Sequence, residues 1–228
     1  MKFLRVTIRA SETAFTGLAN FYGDLGFPVI SSEERVSIAT GETTVEFVAA
    51  PGEPFYHFAL LVPGKRFDAA LEWARAHTTL LPHSASGGEV FDFEAWHAYA
   101  CYFHDPAGNI VELIAHRGVD ENDTRGDFEA TEIVGVSELG LVGDPRAMAK
   151  ALQDHLRLEL WDGAVDEPGD LAFVGERART LILAPPGRGW LPTGRAAERH
   201  EVDALLSGPL SGEADLDEGR YRIHAEAA

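Results

Sequence analysis

The sequence predicts an α+β fold built from repeated βαβββ modules, on three observations. A short apolar segment recurs: VEFVA at 45–49 returns as VELIA at 111–115 and, more distantly, as TLILA at 180–184. Each copy closes the same succession of patterns: an alternating strand, a helical stretch, then shorter β-like runs. A tight turn, Asp105-Pro106-Ala107-Gly108-Asn109, joins ACYFH to IVELIA and makes 97–115 a hairpin.

Each element has its own signal. FLRVTIRA, YHFALLV and SELGLVG open the modules as strands. In the first helix Phe15, Leu18, Tyr22 and Leu25 share a face; in the second Phe67, Ala70, Leu71 and Ala74 do. The third starts with Asp144 as N-cap and Pro145 at the first helical position, and buries Met148, Leu152 and either His155 or Leu156. The modules then span 1–50, 54–117 and 133–185. Residues 118–132 are polar and acidic (Asp120, Glu121, Asp123, Asp127, Glu129) and read as a linker. From about Arg195, HEVDALL and RYRIHAE are strands around a Gly- and acid-rich turn region, a fourth module without its helix. The expected organisation is 1–117 as one module pair carrying the ligand cup, 118–132 as linker, and 133–228 as a reduced second pair.

Composition narrows the function. The 228 residues carry 37 acidic and 19 basic side chains, a net charge of -18, which disfavours nucleic acid and anionic membranes as partners. No apolar run is long enough to cross a bilayer, and the opening MKFLRVTIRA alternates like a strand instead of showing a signal peptide's apolar stretch, so a cytoplasmic location is expected. The single cysteine, Cys101, lies in an apolar run and reads as core.

Ionisable groups on apolar strands mark the candidate site. Glu112 shares a strand face with Ile110 and Ile114, Glu46 with Thr44 and Val48, and His57 with Phe55, Ala59 and Leu61. A carboxylate there needs a hydrogen-bond partner, a cation or a metal. Imidazole with carboxylate suits zinc, iron, manganese, nickel or cobalt. His57 reads equally as a ligand or as a pocket histidine. His97, Tyr99 and Cys101 share one hairpin face; Tyr99 is read as lining a pocket or transferring a proton, His97 as a substrate contact or a surface residue. Glu138 fills in module three the slot of His57, but Ile182 replaces its partner carboxylate, which points to structural use. Trp190, in the Gly/Pro-rich GRGWLPTG, reads as a plug or lid over the cup.

YHFAL at 56–60, YFHDPAGNIVEL at 102–113 and NFYGDLGF at 20–27 resemble the vicinal oxygen chelate superfamily of glyoxalases, extradiol dioxygenases, fosfomycin-modifying enzymes and bleomycin-binding proteins. The resemblance covers 1–117, and a diverged copy extends to about 190. It implies modules paired into a curved-sheet cup around a divalent metal, with His57, Glu112 and Glu46 as ligands. Glu46 is read as a third ligand or as the base that moves a proton. The remaining first-strand position holds Arg5 or Thr7 instead of a histidine, so both are assigned to substrate binding. With that histidine missing, lyase or isomerase chemistry on a small oxygen-bearing molecule is expected over ring cleavage. The alternative is a non-catalytic protein that sequesters a drug or antibiotic in the same cup. A third role is homodimerisation through the helix-poor C-terminal part.

Overall fold

The computed structural model describes every residue except Ala85, Asp123, Pro168 and Ala228. Three modules repeat one element order. The first comprises β1 (Lys2–Ala10), α1 (Phe15–Asp24), β2 (Val29–Ser31), β3 (Arg35–Thr40) and β4 (Thr43–Ala49). The second comprises β5 (His57–Leu61), α2 (Phe67–His77), β6 (Phe91–Phe93), β7 (Ala98–His104) and β8 (Ile110–His116). The third comprises β9 (Gly135–Val142), α3 (Pro145–Leu156), β10 (Leu160–Gly163), β11 (Ala172–Glu176) and β12 (Arg179–Ala184). A small hairpin, β13 (Gly189–Trp190) with β14 (Arg195–Ala196), leads to the helix-less strands β15 (Val202–Gly208), β16 (Gly212–Leu216) and β17 (Tyr221–Ala227). β16 lies in the region expected to be turn, where only Ala214 and Leu216 alternate inward.

The modules do not pair in chain order. One sheet runs β16-β17-β15-β1-β4-β3-β2 and joins module one to module four. The other runs β10-β11-β12-β9-β5-β8-β7-β6, joins module two to module three, and is curled into a half-barrel. The expected pairing of the first two modules within 1–117 is therefore corrected. Strand amphipathy gives the reason. β1 and β15 each bury one face and leave Arg5, Thr7, Arg9 and Asp203, Leu205, Ser207 at least partly exposed. β5 and β9 are buried along their whole length on both faces. Strands that need cover on both sides belong together, and one-faced strands suit a sheet open to water.

One apolar core lies between the sheets and takes in the inner faces of all three helices, through Leu18, Ala70 and Leu152. Two tyrosines stitch the sheets by backbone bonds. Tyr56 Oη accepts from Arg9 N at 3.0 Å and donates to Glu201 O at 2.8 Å, and Tyr221 Oη accepts from Val142 N at 3.1 Å and donates to Val142 O at 2.8 Å. The 118–132 segment is packed down: Phe128 and Ala130 are buried, and Arg66 donates to both Glu132 carboxylate oxygens at 2.7 and 2.8 Å. Asp123 of that segment lies outside the described residues. No helix is long and apolar enough to cross a membrane.

Candidate metal centre

The second face of the half-barrel sheet encloses a cavity of about 530 Å³. Alternation sends Leu139, Leu141, Leu181 and Leu183 to the main core and Ala59, Ile110, Ile114 and Ile182 to the cavity side. On that side β5 brings His57, β8 brings Glu112 and β9 brings Glu138, all buried, with one ligand atom from each within 4.8 Å of the others. Register explains the convergence. Ala59 lies opposite Glu112 on its parallel neighbour and opposite Glu138 on its antiparallel neighbour, and His57 stands one same-face step away. The small Ala59 leaves the space between the two carboxylates open.

The turn before β8 sets His57. Asp105 Oδ1 accepts from Ala107 N and Asn109 N at 2.9 and 3.1 Å, while its Oδ2 accepts from Asn109 Nδ2 at 2.8 Å and from Tyr22 Oη at 3.0 Å. Gly108, at φ 77°, takes the left-handed position of the turn. Asn109 Oδ1 then accepts from Tyr56 N at 2.8 Å, fixing the residue before His57. His57 Nδ1 lies 3.1 Å from Ile110 O, a carbonyl that can only accept, so Nδ1 carries the proton. Nε2 is left facing Glu112 at 3.4 Å.

No arginine or lysine pairs with Glu112 or Glu138 among the described ion pairs. Burial first, and then the neighbouring Glu112 carboxylate, raise the proton affinity of Glu138 well above the usual carboxyl range. Tyr102, opposite Glu112 on β7, is held well above the usual phenol range by its burial and then by Glu112, so it remains a donor to that carboxylate. Thr180 lies in register beside Glu138 on β12, 1% exposed, and its hydroxyl has no hydrogen-bond partner. Two buried carboxylates without a cation, beside an imidazole whose outer nitrogen is already fixed, form a donor set that fits a divalent metal. Ile182, in register with Gly140 on β9, adds an apolar side chain to the same cavity.

The chain shares its fold with glyoxalase structures. No family model matches it, and a search of curated proteins finds no relative. Among solved structures, a "putative dioxygenase" from Bacillus subtilis is 14% identical over 100% of this chain and 86% of that one, with a TM-score of 0.56. A mutant of glyoxalase I from Zea mays is 14% identical over 98% of this chain and 92% of that one, at 0.54. Glyoxalase I from Zea mays is 17% identical over 90% and 74%, at 0.52. At these identities the likeness is one of fold.

The glyoxalase-like arrangement redistributes the residues expected from sequence. Trp190 reaches the cavity, with its ring centroid 5.1 Å from that of His57. It sits where Gly140 leaves room, since a Cβ there would lie 2.8 Å from the indole. Glu46 does not join His57 and Glu112. It lies in the other sheet, accepting from Thr7 Oγ1 at 3.0 Å and Arg35 Nη1 at 2.9 Å. Arg5 and Thr7 lie in that sheet too, away from the cavity. Tyr99 stacks on Phe67 at 5.7 Å and hydrogen-bonds Arg117, on the strand face opposite to Tyr102. His97 is exposed where the chain turns at φ 51°. Glu138 and Tyr102 are the site residues that sequence reasoning did not assign. Glu138 was visible as the lone ionisable residue in SELGLVG, Tyr102 as the cavity-side alternate to Cys101.

The inner end of the same sheet face holds a second anomaly. His116 is fully buried beside Trp96 and Trp161, and neither ring nitrogen has a hydrogen-bond partner. Burial, reinforced by Arg177, pushes it down to about 4. Cys101 faces the main core, and its burial pushes the thiol up to about 12, so it is no nucleophile.

Proposed function

We propose that the protein is a metal-dependent enzyme that acts on a small molecule bearing two neighbouring oxygens, by lyase or isomerase chemistry. The observation that carries this reading is the convergence of His57, Glu112 and Glu138 in a buried cavity without a protein cation. A bound divalent ion supplies Lewis acidity that stabilises negative charge developing on a substrate oxygen. The chain's own residues do the rest. His57 is oriented by the Ile110 carbonyl, and Tyr102 holds Glu112. Glu138, opposite Ala59 on β9, completes the donor set beside His57 and Glu112. Phe93, Trp96, Phe173 and Trp190 wall the site with apolar surface and limit water.

The test is metal content. Protein purified without chelator after metal-replete growth is expected to hold about one divalent ion per chain. His57→Ala, Glu112→Gln and Glu138→Gln are each expected to weaken binding by more than the ~10–100-fold typical of losing an outer-shell partner. Substoichiometric metal that none of the substitutions changes would sink the reading. A second reading, a sequestering protein without metal, is favoured by the apolar Ile182 and the aromatic walls of the cavity. It predicts ligand affinity indifferent to chelator.

A further inference from the structure

The cavity is electrically uneven. At its buried end stand Glu112, Glu138 and His57; its walls are aromatic and aliphatic; and its exposed rim comes from the strap Arg188–Leu191. Arg188 is the one lysine or arginine among the lining residues. Its backbone is tied down: Arg188 N donates to Pro185 O at 3.2 Å, and Ala197 N donates to Arg188 O at 2.7 Å. Farther along, Arg195 anchors the strap by donating to Gly108 O at 3.1 Å and lying 3.3 Å from the Phe55 ring centroid. The Arg188 guanidinium itself makes no hydrogen bond or ion pair among the described residues. Arg9, Arg35, Arg66, Arg75, Arg179 and Arg220 are ion-paired to carboxylates, whereas Arg188 stands at the cavity rim with its donors uncommitted.

We infer that the substrate carries an anionic group remote from its metal-binding oxygens, and that Arg188 at the rim holds it. This inference rests on the metal reading for the position of the substrate's other end. Charge balance supports it. Two carboxylates and a neutral imidazole would cancel a divalent ion, so the buried end offers no surplus positive charge to a substrate anion. The protein's overall field repels anions. A planar guanidinium with free donors at the rim of an apolar cavity supplies the missing attraction, and it suits carboxylate or phosphate by paired hydrogen bonds. The substrate class is therefore a small amphipathic anion: two adjacent oxygens at one end, a flat or aliphatic body against Trp190 and Phe173, and a carboxylate or phosphate at the other.

Calorimetric titration of zinc-loaded protein with 3,4-dihydroxybenzoate and with its methyl ester tests this, because the two probes share their chelating oxygens and differ in one charge. The wild type is expected to bind the acid at least about tenfold more tightly, the size of one charge-assisted hydrogen bond. Arg188→Gln is expected to abolish that preference while leaving ester affinity unchanged. Equal affinity for both probes in the wild type, or a preference that persists in Arg188→Gln, overturns the assignment of Arg188. His57→Ala separates the two ideas. If it leaves binding of both probes intact, the metal reading fails, whereas the acid preference still reports on Arg188. If neither probe binds the wild type, both ideas fall.

Discussion

The two sheets share the arrangement of their central strands, β17-β15-β1-β4 and β12-β9-β5-β8, with opposite consequences. In the half-barrel sheet Ala59 is flanked in register by Glu112 and Glu138; in the other sheet Thr7 is flanked in register by Glu46 and Asp203. The positions of His57 and Ile182 are taken by Arg5 and His224. Yet this second set forms no metal-ready cluster among the described residues. Glu46 is partly exposed and paired with Arg35 at 2.9 Å, and Asp203 faces Arg222 at 3.7 Å and His224 at 3.9 Å. A carboxylate at a given register position does not by itself make a site. It becomes one where burial removes water and no protein cation replaces it, because an uncompensated buried charge must then find a proton or a metal.

Histidine gives the largest way to sharpen that contrast. His116, buried without a partner, has a counterpart in character in His224, which is half-buried between Asp203 and Glu213. The unfolded chain takes up a proton at His116 below the ordinary 6.5, but the folded protein does so only below about 4. Stability is therefore lost as pH falls from 6.5 to 4, at about 1.4 kcal/mol per pH unit and about 3 kcal/mol in all. In urea titrations at stepped pH, His116→Leu is expected to remove that acid-side loss. An unchanged pH profile would show that the imidazole is not held neutral.

A smaller effect is expected at Thr180. Its buried, unpartnered hydroxyl costs stability in the metal-free protein, so Thr180→Val is expected to raise unfolding free energy by about 1 kcal/mol. A loss of stability in chelator-treated protein would mean that the hydroxyl is satisfied after all. Smallest is Glu46→Gln. Its ion pair with Arg35 is solvent-screened, so less than about 1 kcal/mol is expected, with no change in bound metal. Loss of metal in that variant would return Glu46 to the site and erase the difference between the sheets.

Local pattern specifies the site up to one step, the pairing of modules into sheets. The repeat, the three helices, the Asp105–Asn109 turn and the cavity-facing positions of His57 and Glu112 were all readable from periodicity and turn chemistry. The turn also proved to do more than reverse the chain, since Asn109 fixes the backbone before His57. What went unread was amphipathy between strands. FLRVTIRA and HEVDALL alternate apolar with charged residues, while YHFALLV and SELGLVG are nearly continuous apolar runs. Pairing like with like would have joined module two to module three and put Glu138 beside His57. The segment of Glu46 copies that of Glu112, but that similarity says nothing about which sheet it enters.

By itself the sequence determined the local units: which segments become strands and helices, where the hairpin closes, and which face of each strand a side chain occupies. Those depend on periods and turn preferences that act within a few residues. The tertiary structure alone decided which modules share a sheet, and so that the pair His57 and Glu112 is joined by Glu138, closed by Trp190 and rimmed by Arg188. That choice depends on covering both faces of β5 and β9 at once, a balance between segments about eighty residues apart that no local pattern expresses.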